Sequence, residues 1–123
     1  KRVVEILRNN GLDMTEKAEF NPYRKGIRSL LKSTPLQMNE LVGKNPCYGR
    51  VVCRCEKVSE GEIVEAIKRG ATTLDGVKFR TRAGMGRCQT NYCGPEVTAI
   101  LARERNQAVS TITKKGRGSN YLH

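Results

Sequence analysis

The first apolar stripe of the chain predicts a short helix. Four hydrophobic residues between Val3 and Leu7 are spaced so that a 3.6-residue period places them on one side. Gly11 follows, and glycine commonly ends helices because it adopts a left-handed conformation at little cost. We therefore expect a helix over residues 1–10.

The next apolar residues predict two more helices. Three of them within residues 23–32 share one helical face. Thr34-Pro35 is typical of an N-cap followed by proline in the first turn, and Asn45-Pro46 is typical of a helix end. The apolar face of the helix between these signals consists of Leu36, Met38, Leu41 and Val42.

From Tyr48 onward the pattern changes. Residues 50–53 form a short β-like run that would carry the chain in extended form to Cys55. Ser59 and Glu62 make a Ser-x-x-Glu capping box, which opens a helix that ends near Gly70.

Two further helices are predicted after Gly70. Thr72 with Asp75 forms a second cap, a glycine-bearing loop follows at residues 83–87, and Gly94-Pro95 opens the last helix. These elements predict a mainly α fold: a small helical domain of helix–turn–helix-like outline, with a short extended segment leading into it.

The composition divides the chain into three parts. Residues 1–46 are a helical linker region, residues 47–105 form the compact domain, and residues 106–123 are a polar tail that we expect to be flexible.

The net charge of +11 is spread along the chain rather than gathered in a basic block. This charge is consistent with a basic surface that binds an acidic partner or nucleic acid. It is equally consistent with an ordinary solvated surface. No apolar run approaches the roughly 18 residues of a membrane span, and no signal-peptide pattern opens the chain. We expect a soluble cytoplasmic protein, and the start at Lys1 indicates a piece of a longer or processed chain.

Four of the five cysteines form two close pairs, Cys53-x-Cys55 and Cys88-x4-Cys93. In an extended segment, residues two apart point to the same side, so the first pair would present both sulfurs together. In a reducing compartment clustered cysteines hold metal more often than they form disulfides. A metal joining distant segments would also stabilise so small a domain. We predict that the four thiols are metal ligands, with two disulfides or unligated thiols as alternatives.

Two metal centres fit this quartet. Structural zinc takes four cysteines, commonly from two Cys-x2–4-Cys knuckles, and only the 88–93 pair has that spacing. A [2Fe–2S] cluster takes two thiolates per iron, which suits a tight pair with a wider one. The spacing favours iron–sulfur and leaves zinc open.

Four motifs surround the cysteines. They are Val52-Cys53-Arg54-Cys55-Glu56, Ser59-Glu60-Gly61-Glu62-Ile63, Thr72-Thr73-Leu74-Asp75-Gly76-Val77 and Gly84-Met85-Gly86-Arg87-Cys88. With these motifs, residues 48–102 resemble the [2Fe–2S]-binding domain of the bacterioferritin-associated ferredoxin (BFD) type. They are most similar to the version fused behind FAD-dependent glycerol-3-phosphate dehydrogenases and related amine or hydroxy-acid oxidoreductases. The simplest members of the family end in Cys-x2-Cys, whereas the dehydrogenase-linked versions share the Cys-x4-Cys found here.

The resemblance implies an electron-transfer module whose [2Fe–2S] cluster is bound by Cys53, Cys55, Cys88 and Cys93. FAD would be held by an upstream domain of the same chain, which residues 1–46 would extend. The parent enzyme would oxidise glycerol 3-phosphate or a related compound. Electrons would pass to an acceptor protein or a quinone-linked subunit, through which any membrane association would arise.

Other residues receive weaker assignments. Cys47 is interpreted as an extra small thiol outside the quartet, and His123, at the end of the chain, as no ligand. The glycines of residues 84–86 are interpreted as flexible backbone that lets Cys88 reach the metal. Four arginines near the ligands either stabilise an anionic cluster or face solvent. They are Arg54, Arg80, Arg82 and Arg87.

No catalytic group is visible in the chain. There is no histidine placed for general-base chemistry, no nucleophile beside a base and no dinucleotide fingerprint. We expect the fragment itself not to turn over a substrate. The alternative function is a zinc-stapled interaction or nucleic-acid-binding module that uses the second helix of residues 59–82. A third hypothesis is a cluster that senses oxygen or iron supply.

Overall fold

The structure, a computed structural model, describes residues 2–15 and 17–121. His123, and Lys1 at the start of the first predicted helix, lie outside the described residues. Within this part of the chain, the predicted mainly α fold is confirmed. The helices are α1 (Arg2–Asn9), α2 (Pro35–Lys44), α3 (Glu60–Lys68), α4 (Leu74–Thr81) and α5 (Gly94–Arg105). The strands are β1 (Val51–Cys53) and β2 (Val58–Ser59), and 3-10 turns form at Leu30–Lys32, Pro46–Gly49 and Val109–Thr111.

The core lies among α3, α4 and α5. Ile63, Val77 and Leu101, one from each helix, are fully buried. β1 and β2 pair antiparallel beside them and add Val52 and Val58 to the same core. The end of β1 and the start of α5 therefore belong to one packed unit.

The start of α3 is the capping box that its sequence predicts. The Ser59 hydroxyl accepts a hydrogen bond from the Glu62 N–H (3.3 Å), and the Glu62 carboxylate accepts one from the Ser59 N–H (2.8 Å). Both bonds satisfy N–H groups that the first helical turn leaves without a partner. Thr34 and Gln37 form a second capping box at the start of α2, where the sequence indicated only the cap and Pro35.

The predicted cap of α4 is wrong by one residue. The N-cap is Thr73, whose hydroxyl accepts a hydrogen bond from the Gly76 N–H (3.0 Å), and not Thr72. Either threonine can cap, and tertiary contacts at the next residue, Leu74, decide which of them does.

The predicted helix over residues 23–32 does not form, and only Leu30–Lys32 makes a 3-10 turn. Gly26 would cost about 1 kcal/mol inside a helix. In the observed conformation Ile27 packs on the core, Leu30 is buried, and the Arg69 guanidinium donates to the Lys25 carbonyl. These contacts hold the segment against the domain.

The polar tail contacts the domain at Ile112, Thr113 and Lys114. Ile112 is 1% exposed and belongs to the core. The N–H groups of Leu74 and Asp75 donate to the carbonyls of Thr113 (3.1 Å) and Lys114 (2.8 Å). The first turn of a helix leaves such N–H groups unpaired, so the tail completes the N-terminus of α4.

Helix α1 forms as its pattern predicts, and its apolar side remains largely exposed. None of its residues is buried, and Val3 and Ile6 are 68% and 53% exposed. No described helix combines the length and the hydrophobicity needed to span a lipid bilayer.

Candidate metal centre

Four thiols from two distant segments line one cavity of about 560 Å³. Cys53 ends β1, Cys55 lies in the following turn, Cys88 lies in a second turn, and Cys93 is the N-cap of α5. The extended run does not reach Cys55 as predicted, because the chain turns immediately after Cys53 to form the β1–β2 hairpin. All five cysteines are free thiols, so the disulfide alternative is not seen.

The thiols lie near one another as two pairs, each with one member from either segment. Cys53 lies beside Cys93, and Cys55 lies beside Cys88.

The two pairs differ in their access to solvent. Cys53 and Cys93 are 1% and 2% exposed and contribute to the core. Cys55 is exposed and Cys88 is half-buried. Each pair therefore joins the first segment to the second, one pair within the core and the other at the protein surface.

The surroundings shift the pKa values of two thiols in opposite directions. Burial, and then the nearby Cys53, raises the pKa of the Cys93 thiol to about 12. The backbone N–H of Tyr92, before all other causes, lowers the pKa of the Cys88 thiol. Without a metal, Cys88 is thus the readier thiolate, whereas Cys93 would need a cation beside it to ionise.

The turn that carries Cys88 and Cys93 is held by its own hydrogen bonds. The Gln89 N–H donates to the Gly86 carbonyl (2.9 Å), the Thr90 hydroxyl to the Gly84 carbonyl (3.3 Å), and the Gly94 N–H to the Thr90 carbonyl (2.7 Å). Gln89 and Thr90 adopt φ values of 46° and 82°, which non-glycine residues rarely do. Such strain persists only where the surrounding structure enforces it.

The glycine loop before Cys88 packs tightly against the first cysteine-bearing segment at Gly86. Gly86 is buried, and a Cβ atom on it would collide with the Cβ of Cys55 and lie 3.4 Å from the Cα of Cys55. Gly86 therefore allows a close approach between the two cysteine-bearing segments. The sequence signals for this contact were the position of Gly86 two residues before Cys88 and its place in the family-like motif of residues 84–88.

The four arginines near the cysteines have different environments. Arg82 donates to the Glu56 carboxylate (2.8 Å), and Arg80 donates to the Gly76 carbonyl of its own helix (3.0 Å). Arg54 lines the cavity, and Arg87 is exposed.

Cys47 lies apart from the quartet. It sits in the 3-10 turn before β1, its N–H donates to the Asn45 side chain (3.1 Å), and it does not line the cavity.

Comparison with known proteins agrees with this geometry. The family model described as "BFD-like [2Fe-2S] binding domain" matches residues 51–103. These residues include all four cysteines that line the cavity.

Several curated proteins are similar to the chain. A glycerol 3-phosphate dehydrogenase of Caloramator mitchellensis is 47% identical over 122 residues, covering 98% of this chain and 25% of that protein. An opine oxidase subunit of Rhizobium meliloti is 42% identical over 57 residues, 46% of this chain and 12% of its own length. An anaerobic glycerol-3-phosphate dehydrogenase subunit of Escherichia coli K12 is 33% identical over 82 residues, 66% of this chain and 14% of its own length.

This chain thus spans a quarter or less of the length of these relatives. No solved structure matches it. The four cysteines of the cavity lie inside the matched range, and residues 51–103 are similar to the BFD-like [2Fe-2S] binding domain family.

Proposed function

We propose that Cys53, Cys55, Cys88 and Cys93 hold one [2Fe–2S] cluster and that the domain relays single electrons within a flavin-dependent oxidoreductase. The observation that carries the proposal is the meeting of these thiols, from two distant segments, on the wall of one cavity. When bound, the cluster supplies a one-electron carrier. Four cysteine thiolates are the donor set of such a cluster, and the match of residues 51–103 to the [2Fe-2S] family model favours iron–sulfur over zinc.

The residues around the cavity have distinct parts in this function. Cys53 and Cys93 anchor the centre inside the core, and Cys55 and Cys88 leave one side of it open to solvent. The backbone N–H groups near Cys88 favour negative charge on its sulfur, whereas the buried Cys93 would ionise only beside the cations of the cluster. The core keeps water from the buried side, so electrons would leave from the Cys55 side.

The parent activity that we propose is oxidation of glycerol 3-phosphate by an FAD domain upstream in the same chain. The similarity to the Caloramator glycerol 3-phosphate dehydrogenase supports this assignment, since it extends over 98% of the chain. Residues 1–46 would be the extension of that domain, and the exposed apolar side of α1 would pack against it. An acceptor protein or quinone-linked subunit would take the electrons. The cytoplasm would keep the five thiols reduced, and any membrane association would come through partner subunits.

Anaerobic reconstitution tests the cofactor. With iron and sulfide the chain should become brown and bind about two irons and two sulfides. Serine variants of the four cysteines should each lose the visible absorption, and Cys47→Ser should keep it. A colourless chain holding one tightly bound zinc would refute the assignment.

A second experiment tests the relay. In the full-length protein, Cys88→Ser should leave reduction of the flavin by glycerol 3-phosphate unchanged and abolish onward transfer to an acceptor. If Cys88→Ser passes electrons to the acceptor as fast as the wild-type protein at every oxygen level, the cluster is neither a relay nor a sensor. Flavin reduction by a different hydroxy or amino compound alone would correct the substrate and leave the relay standing.

A further inference from the structure

The cavity opens to solvent beside Cys55. This cysteine is exposed, whereas Cys53 and Cys93 on the inner side are 1% and 2% exposed. Tyr92, at the cavity mouth, is 87% exposed. An external electron partner would therefore approach from this side, where the distance through protein is shortest.

Three cations lie on the two turns that carry Cys55 and Cys88. Arg54 lines the cavity, Lys57 lies in the β1–β2 turn, and Arg87 directly precedes Cys88; all three are exposed. Within the described part of the chain, none of them has a carboxylate at salt-bridge distance. Their charges are free to attract an anionic surface.

The nearest carboxylates do not cancel these charges. Glu56 binds Arg82 (2.8 Å), and Glu96, which lines the cavity, binds Arg50. Arg50 is shared with Glu60, but neither Glu56 nor Glu96 is paired with Arg54, Lys57 or Arg87, so these three cations remain uncompensated by an ion pair.

An apolar groove adjoins the same opening. It has a volume of about 500 Å³ and shares Val51 and Arg54 with the cavity. Val51 and Leu31 are 46% and 55% exposed within it. An apolar patch bordered by cations is typical of a protein–protein interface. A surface that binds the phosphates of a nucleic acid is instead mainly charged and polar. The lining of the groove is completed by Leu30, Ser33, Met38 and Lys57.

We propose that the face formed by Leu31, Val51, Arg54, Lys57, Arg87 and Tyr92 docks an acidic electron-accepting protein beside Cys55. The proposal rests on the proposed function, because it takes the cavity as the cluster site. Each encounter would transfer one electron to the acceptor, with no bond formed or broken. Long-range attraction to an acidic surface would raise the association rate and weaken with salt.

Binding of an acidic flavodoxin, used as the probe, tests the face directly. Titration of the cluster-loaded and of the metal-free chain should give saturable binding that weakens between 50 and 300 mM salt. Arg54→Glu and Lys57→Glu should each weaken it about tenfold. Lys68→Glu is the matched control, because Lys68 is exposed at the end of α3 and lines neither the cavity nor the groove. It should change binding less than about twofold.

Small ions of opposite charge give a second readout. The chain is reduced with dithionite and then oxidised either by anionic ferricyanide or by cationic hexaammineruthenium(III). After correction for the difference in driving force, the rate constant with ferricyanide should be the larger of the two. Arg54→Glu should lower the ratio of the two rate constants about fivefold, and Lys68→Glu should leave it nearly unchanged. Iron content is measured for every variant, so that loss of the cluster is not taken for loss of attraction.

Three outcomes would overturn the docking proposal. One is a loaded chain that binds no acidic protein at 50 mM salt. Another is equal effects of Arg54→Glu and Lys68→Glu. The third is duplex DNA that binds at 150 mM salt and competes with the flavodoxin for Arg54. A chain that holds no iron and sulfide refutes the proposed function instead, and reconstitution reveals that before any titration.

Discussion

The hydroxyl group of Tyr121 packs directly against Gly94, the residue that follows the buried Cys93. A Cβ atom on Gly94 would overlap that hydroxyl and lie 2.9 Å from the Thr90 side chain. Tyr121 is placed there by the tail, whose N–H at this position donates to the Ile112 carbonyl (3.1 Å). The tail lies outside the residues that the family model matches, yet it closes one side of the cysteine-bearing turn.

Gly94→Ala should therefore destabilise the metal-free chain by about 1–3 kcal/mol, because the added methyl group has no room. A shift of roughly 4 °C in Tm per kcal/mol makes this visible in thermal unfolding followed by circular dichroism. Combining it with Tyr121→Ala should recover part of the loss. Gly43→Ala is the control, since Gly43 has no neighbouring atom within 4 Å and lies in α2. It should be neutral or stabilising by up to about 1 kcal/mol.

Gly86→Ala should prevent the two cysteine-bearing segments from closing together. The added Cβ would collide with the Cβ of Cys55, so Cys55 could no longer face Cys88. Displacing a ligand by such crowding should lower cluster affinity about tenfold or more. The measurement is iron per folded chain after reconstitution.

The control for Gly86→Ala is Gly61→Ala, an equally crowded substitution away from the cysteines. Its Cβ would lie 2.5 Å from the Tyr48 ring. It should lower Tm and leave iron per folded chain unchanged. An equal loss of iron in both variants would mean that the effect of Gly86→Ala is general destabilisation.

Local signals in the sequence were sufficient for the starts of α2, α3 and α5 and for the choice of candidate ligands. Ser59 and Glu62 satisfy each other within four residues, so their capping box can be recognised without knowledge of the fold. Cys53, Cys55, Cys88 and Cys93 were selected by spacing and resemblance, and the structure brings them to one cavity.

The errors occur where distant contacts decide the conformation. The Leu74 N–H donates to the Thr113 carbonyl in the tail. This hydrogen bond lies next to Thr73, the observed cap of α4, and it holds the tail against that helix. Polar composition predicted flexibility for the tail because it cannot indicate a partner nearly forty positions earlier. The contacts of Gly86 with Cys55 and of Gly94 with Tyr121 are likewise invisible until the chain is folded.

Ile112→Ala should show that the tail is part of the folded unit. The Ile112 side chain is 1% exposed within the core, and truncating such a side chain costs about 2–4 kcal/mol. The measurement is the urea midpoint of the metal-free chain. Val109→Ala, in the same tail but 40% exposed, should cost less than about 1 kcal/mol. If both variants leave the midpoint unchanged, the tail is not packed in solution.

Glu60 should make the stability of the chain sensitive to acid. Its carboxylate is buried between Arg50 (2.7 Å) and Arg103 (2.7 Å), and the hydrogen bond from Arg50, before all other causes, lowers the pKa of Glu60 below its ordinary 4.5. Between the lowered native pKa and 4.5, the unfolded chain binds more protons than the folded one. The stabilisation by Glu60 is therefore fully present above 4.5 and is lost as the pH falls through the native pKa.

Urea unfolding of the wild-type chain and of Glu60→Gln from pH 7 to pH 3 measures this contribution. At pH 7 the variant should be less stable by about 1–2 kcal/mol, a modest value because both arginines are about half exposed and solvent screens them. The difference should shrink below pH 4.5, since protonation then neutralises the wild-type carboxylate as well. Glu65→Gln, which removes only a surface pair with Arg69, should show little difference at any pH. A Glu60→Gln difference that stays constant down to pH 3 would mean that the carboxylate acts through its shape and hydrogen bonds rather than through its charge.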